Sequence, residues 1–220
     1  MIKTITLRGV LPRVFSGADF REQLEASDVW LRPEVTFSVP GAYMIEAESG
    51  TGKSSLCAYI YGERTDYEGD ILFDGENVRD FSVERWCRLR RESLAYLPQE
   101  MRLFPELSAM DNILIKNRLT DFRSESDILA LLDRLALRHK AYEPAGRLSI
   151  GQQQRVATVR ALCQPFDFIL VDEPVSHLDA RNNRAVAALV AGEAASRGAS
   201  IIATSVGNKL ELTDFTLMHL

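Results

Sequence analysis

Apolar runs and polar, turn-forming stretches alternate along most of the chain, and the period of each run assigns its element. "AYMIEAE" (42–48) reads as a buried strand that leads into a glycine-bearing loop, and "SSLCAYIY" (54–61) as a helix that Gly62 ends. "DILFDG" (70–75) is a strand and turn, and "LAYLPQ" (94–99) a short strand stopped by Pro98. The middle of the chain turns helical. In "LSAMDNILIKNRL" (107–119) Ser108 is the expected N-cap, with Asp111 three residues on. "SESDILALLDRLAL" (124–137) places Ile128, Leu132 and Leu135 on one face, and "SIGQQQRVATVRALC" (149–163) sets Val156, Val159 and Cys163 at helical spacing.

Strand and helix then alternate again. "FDFILVDEP" (166–174) is a strongly apolar strand ending in two acids. "LDARNNRAVAALVAGEAASRG" (178–198) is a helix capped by Asp179 and closed by Gly198; "ASIIATS" (199–205) and "DFTLMHL" (214–220) are further strands. Strand, crossover helix, strand predicts a largely parallel sheet covered on both faces. The run 84–163 breaks that rhythm and reads as an inserted, mostly helical lobe of a single domain, 1–220, whose core is 1–83 and 164–220.

Bulk numbers change this picture little. At 220 residues, 46% hydrophobic and 26% charged, the chain has the balance of a soluble globular domain and can bury a core without disulfide or metal staples. A net charge of −5 argues against a nucleic-acid partner, and none is expected. Cys57, Cys87 and Cys163 form no C-x-x-C pair, which suits a reducing compartment. The first fifteen residues hold no long apolar segment, so no signal peptide is expected, and no run reaches the ~18 residues of a membrane span.

The chemistry concentrates in two stretches. "AESGTGKSS" (47–55) nearly matches G-x-x-x-x-G-K-[ST], with Ala47 at the first position. It lies between a predicted strand and a predicted helix, the context a phosphate loop requires. Glycines let several N–H groups curl toward one anion, and the helix N-terminus adds partial positive charge. Ser49, Gly50, Thr51, Gly52, Lys53, Ser54 and Ser55 are therefore the candidate cradle. Lys53 would reach the β- and γ-phosphates, and the Ser54 hydroxyl would ligate Mg²⁺. If the backbone at Ala47 had to be left-handed, the methyl would cost roughly 1–2 kcal/mol there. "FILVDEP" delivers Asp172 and Glu173 at the carboxyl end of a strand, where α/β sheets bind ligands. Asp172 would hold Mg²⁺ through water, and Glu173 would orient or deprotonate an attacking water.

"RLSIGQQQRVATVRAL" follows the same logic and carries a resemblance. With Leu148, Ser149, Ile150, Gly151 and Gln152 in place of L-S-G-G-Q, "YLPQ" carrying Gln99, and "SHLDA" at 176–180, the chain resembles the nucleotide-binding subunit of the ATP-binding cassette (ABC) family. The similarity runs from "ITLRGV" to "DFTLMHL". It implies an α/β fold: a P-loop NTPase core with a mostly parallel sheet flanked by helices, an N-terminal antiparallel β portion and an inserted helical subdomain. It implies ATP and Mg²⁺ as ligands, with Ser54, Gln99 and Asp172 at the metal. It also implies a second ABC subunit, identical or different, whose Ser149, Gly151 and Gln152 cap the ATP held by the first. Glu173, Gln99 and Ser205 would then serve hydrolysis. A transmembrane permease would be the working partner, and the cassette would sit in the cytoplasm against the inner face of the membrane. "LFPELSAMDNI" resembles the branch serving lipoprotein release, macrolide export or cell division.

Two further departures accompany Ala47. Ile150 stands where the family has a glycine, and Ser205 where it has a histidine that touches the γ-phosphate. None of His139, His177 and His219 fits that slot, and serine is short and never cationic. Slow hydrolysis with ATP binding retained is the expectation. Phe15 is the candidate adenine platform, with Trp30 in reserve, although residues 16–28 look like an insertion that blurs the register. "RWCRLRR" (85–91) reads as a solvated helix face or a docking surface. Two other readings compete: a non-catalytic, nucleotide-gated interaction module, and a soluble ABC ATPase outside transport.

Overall fold

The computed structural model describes residues 1–16, 24 and 26–220, so most of the insertion-like stretch 16–28 lies outside the described residues. Among the described residues two sheets form. The first is antiparallel, in the order β2-β1-β4-β5, from β1 (Thr4–Pro12), β2 (Val35–Ser38), β4 (Tyr67–Phe73) and β5 (Glu76–Asn77). The second is parallel, in the order β6-β7-β8-β3-β9, from β3 (Gly41–Glu46), β6 (Leu94–Leu97), β7 (Phe168–Asp172), β8 (Ser200–Ser205) and β9 (Thr216–His219). The central strands β7 and β8 are buried at every residue, as their unbroken apolar runs require when both faces are covered.

The helices start where capping chemistry allows. Helix α1 (Lys53–Ile60) begins on Gly52, whose φ of 96° suits only a residue without a Cβ. Helix α2 (Val83–Glu92) is capped by Ser82, and α3 (Ala109–Asn117) by Ser108. Helices α4 (Glu125–Arg134) and α5 (Ile150–Ala161) open on reciprocal capping boxes, Ser124 with Asp127 and Ser149 with Gln152. Asp179 caps α6 (Ala180–Ala195).

The lobe expected at 84–163 is not uniformly helical. Strand β6 falls inside it yet pairs with β7 at the edge of the parallel sheet. Trp86 and Leu89 of α2 pack onto the cluster under the antiparallel sheet. Helices α3, α4 and α5 share one apolar cluster with α6 and with Met44, Ile169, Val171 and Ala203 of the parallel sheet, so lobe and core are continuous. Ile128, Leu132 and Leu135 point into that cluster as their spacing predicts. The arginines of α2 are largely engaged within the chain. Arg85 grips Glu76 at 2.7 and 3.0 Å, and Arg90 donates to the carbonyls of Tyr61 and Gly62 at 3.0 and 2.7 Å. Among the described residues no helix is long and apolar enough to cross a membrane.

Strands β3, β7 and β8 run parallel, in register Met44↔Ala203 and Val171↔Ala203. Their carboxyl ends therefore lie side by side. The loop 47–52, the Asp172–Glu173 pair and Ser205 all leave the sheet from that one edge.

Candidate nucleotide site

The loop after β3 has the backbone that anion binding demands. Gly50 and Gly52 sit at φ of 88° and 96°, which an L-residue rarely adopts. Ala47 is not among the residues of positive φ, so its methyl carries no backbone strain. Thr51 ties the loop to itself through a 2.8 Å bond from its hydroxyl to the Glu48 carbonyl. Lys53 is buried; its ammonium donates to the carbonyls of Glu48 (2.6 Å) and Ala47 (3.3 Å). Burial lowers its pKa, and the nearby Glu173 and Asp172 carboxylates partly oppose the shift. The Ser55 hydroxyl accepts from Arg64 at 2.9 Å.

Groups from the ends of two other strands, β6 and β7, converge on this loop. Glu173 Oε1 lies 3.8 Å from Lys53 Nζ. Gln99, two residues beyond β6, donates through Nε2 to Glu173 Oε2 at 3.1 Å. Its Oε1 accepts from the Ser54 hydroxyl at 3.4 Å. Together Ser49, Gly50, Gly52, Lys53, Ser54, Ser55, Gln99 and Glu173 line a cavity of about 250 Å³. Asp172 is buried at the end of β7 and lines the neighbouring cavity, of about 490 Å³, together with Ser54 and Gln99. Ser54 brings a hydroxyl, Gln99 an amide oxygen and Asp172 a carboxylate to that cavity, oxygen donors of the kind that fit Mg²⁺. No cluster of three or more His, Cys, Asp or Glu side chains exists among the described residues.

The other candidate residues stand elsewhere. Ser149, Gly151 and Gln152 form the N-terminus of α5 and do not line the loop cavity. Ser149 is exposed, its hydroxyl accepting from the Gln152 amide at 3.3 Å. Ile150 is 51% exposed. Gly151 faces the 176–180 segment so closely that a Cβ there would come within 3.0 Å of the His177 carbonyl. Lys53, Ser54, Gln99 and Glu173 thus share one cavity, while the N-terminus of α5 stands apart from it.

The family model "ABC transporter" matches residues 35–176. This chain is an ATP-binding cassette of the ABC transporter family. The cassette is 33% identical over 206 residues to the macrolide export ATP-binding/permease protein MacB of Escherichia coli, an alignment covering 92% of this chain and 31% of that protein. It is 34% identical over 152 residues to the lipoprotein-releasing system ATP-binding protein LolD of Shewanella denitrificans, covering 66% and 64%. The cassette therefore spans about a third of the first relative's length and under two thirds of the second's. In structure it is similar to a bacterial ABC transporter cassette solved as a dimer, with a TM-score of 0.76 at 22% identity over 98% of this chain and 94% of that one. A post-hydrolysis dimer of the same cassette with ADP and Pi gives 0.72 at 21% identity, over 93% and 88%. These likenesses establish the ABC fold, and the family is one of ATPases.

Ser205 is buried at the end of β8, and its hydroxyl has no hydrogen-bond partner among the described residues. Phe15 and Trp30 are both buried against the loop; a Cβ on Gly52 would come within 3.0 Å of Phe15 and 3.2 Å of Trp30. The Trp30 indole donates to the Thr51 carbonyl at 3.1 Å, so both rings brace the loop from below. His177 is exposed, with Nδ1 3.0 Å from the Ser176 hydroxyl, in keeping with a polar surface role.

Two residues of the site were not singled out by sequence. Thr204 donates from its hydroxyl to Asp172 Oδ1 at 2.6 Å and accepts from the Glu173 amide at 3.2 Å. Gln154 donates to the Glu173 carbonyl at 3.1 Å and accepts from the His177 amide at 3.3 Å. Both are buried polar side chains in otherwise apolar contexts, and that was the available signal: such groups are retained when bonded.

Proposed function

We propose that this cassette binds Mg-ATP in the 47–55 loop, pairs with a second ABC subunit around it, and uses hydrolysis to drive a transmembrane partner. The observation that carries the reading is the convergence of Lys53, Ser54, Gln99 and Glu173 on one cavity, with Asp172 beside it. The backbone amides of residues 49–55 and the Lys53 ammonium bind the triphosphate. Ser54 and, directly or through water, Gln99 and Asp172 would hold Mg²⁺, which would supply neutralising charge to the phosphates. Glu173 accepts the proton of the attacking water, while the Gln99 amide steadies its second carboxylate oxygen. Phe15 or Trp30 contacts the adenine after the loop segment shifts to expose a ring face.

Ser149, Gly151 and Gln152 cap the ATP held by the other subunit. The exposure of Ser149 supports this role, because its helix N-terminus favours an anion and is open to solvent. The second subunit is a copy of this chain or a different cassette. The membrane partner is of the macrolide-export or lipoprotein-release kind, which would hold the cassette at the inner membrane face. Hydrolysis is slow: Ile150 loosens the cap, and Ser205 supplies neither the length nor the charge of a histidine. The family assignment and the intact acid Glu173 disfavour a purely gating module.

Sedimentation of the full chain with Glu173→Gln tests the pairing. Stopping the proton transfer should trap ATP between subunits, giving a Mg-ATP-dependent shift to twice the monomer mass, alone or with an added second cassette. A monomer that binds ATP under both conditions would refute it.

A further inference from the structure

Glu173 carries the functional weight of the site, yet its backbone is unusual. Its φ is +49°, in the left-handed region, where a residue with a side chain is strained. Such a conformation persists only when its surroundings over-determine it. Two buried side chains from different elements do so here. On the amide side, the Glu173 N–H donates to Thr204 Oγ1 at 3.2 Å. Thr204, at the end of β8, is fully buried, and its one proton is committed to Asp172 Oδ1 at 2.6 Å. On the carbonyl side, the Glu173 C=O accepts from Gln154 Nε2 at 3.1 Å. Gln154 is 2% exposed and belongs to α5, the helix whose N-terminus holds Ser149. The same amide reaches the Ser176 hydroxyl at 3.3 Å, and its oxygen accepts from the His177 amide.

We propose that Thr204 and Gln154 are positioning residues that clamp the Glu173 peptide from both sides and so aim its carboxylate at the reaction centre. The Thr204 hydroxyl locks the relative placement of Asp172 and Glu173, because one oxygen atom serves both. Gln154 makes the aim of Glu173 depend on where α5 stands. A displacement of α5 that shifts Ser149 at one ATP therefore also shifts the acid at the other. The proposal rests on the reading of Glu173 as the proton acceptor.

Three variants and three readouts test it on the full chain. Thr204→Val keeps the shape and removes the hydroxyl, and Thr204→Ser restores the hydroxyl. Gln154→Met keeps the length and leaves Asp172 untouched. In Thr204→Val the Glu173 amide should exchange with deuterium about tenfold faster or more, as its side-chain acceptor Thr204 Oγ1 is gone, and Thr204→Ser should return it to the native rate. In Gln154→Met the single-turnover rate of ATP hydrolysis should fall roughly 10- to 100-fold, the scale of a misplaced reacting group. Affinity for a fluorescent ATP analogue should stay within about twofold of native, since the loop cradle is untouched. An unchanged exchange rate in Thr204→Val, an unchanged turnover rate in Gln154→Met, or an affinity that falls in step with turnover would each overturn the proposal. Glu173→Gln separates the two levels. Turnover surviving that change would sink the role of Glu173, whereas the exchange result reports on the clamp alone.

Discussion

The two ends of the functional machinery differ in how much they depend on a neighbour. At the loop end, Lys53 is buried, two glycines hold left-handed backbone, and the groups of three strands close a cavity within one chain. At the α5 end, Ser149 and Ile150 face outward and the capping box satisfies only its own amides. The loop end is lined by several elements of the fold, whereas the α5 end, on the proposed function, needs a partner to complete it. Defects should therefore act differently. A change at the loop alters binding in the monomer; a change at Ser149 or Ile150 shows only when two cassettes meet.

The largest effect should come from Lys53→Ala. Losing charge-assisted bonds to phosphate worth about 1.5–3 kcal/mol each should weaken nucleotide binding by roughly 10- to 150-fold, measured by titration calorimetry on the monomer. Unaltered affinity would break the contrast at its stronger end. Next, Ser205→His should raise turnover about tenfold, by adding a donor where charge develops in the transition state. The residue is buried, so the larger ring should also cost about 1–3 kcal/mol of stability by denaturant melting. A faster enzyme without that cost would mean that the end of β8 is looser than its packing suggests. Smaller still, Ile150→Gly should raise turnover severalfold, and only at concentrations where dimers form. Equal stimulation in dilute monomer would erase the distinction between the two ends.

Much of this was legible in the chain. Unbroken apolar runs named β7 and β8, a serine and an aspartate cap started α3 and α6, the apolar spacing of Ile128, Leu132 and Leu135 named α4, and the loop glycines fell where the backbone takes positive φ. What escaped was long-range pairing. Strand β2 has only four residues and is defined by its register with β1, from Thr4↔Ser38 to Leu7↔Val35. Strand β6 joins the parallel sheet although it sits among helices in sequence, because pairing with β7 decides membership. Thr204 and Gln154 looked like ordinary strand and helix residues, because their partners are 31 and 19 positions away. Buried Phe15 likewise could not be separated by sequence from an exposed platform, since the packing of Trp30 and Gly52 around it is tertiary.

The smallest predicted effect concerns the helical lobe. Lys116 of α3 donates to the Arg90 carbonyl at 3.1 Å, and burial, with Arg160 and Arg90 nearby, lowers its pKa from 10.5 to about 8. Below pH 8 the folded protein carries the full cost of the buried charge. Between about 8 and 10.5 the unfolded chain binds the proton more tightly, so this group's contribution makes stability rise with pH. Thermal melting should therefore show a stabilising trend across that window that Lys116→Met removes. Identical pH profiles for the two proteins would show that the lobe does not bury this charge.

Binding of Mg-ATP to the isolated chain by titration calorimetry tests the central claim most directly. One ATP per chain should bind in the native protein, with affinity lost in Lys53→Ala and retained in Ser149→Ala under dilute, monomeric conditions. Absence of binding in the native chain, or equal losses in both variants, would contradict a loop that is complete within a single subunit.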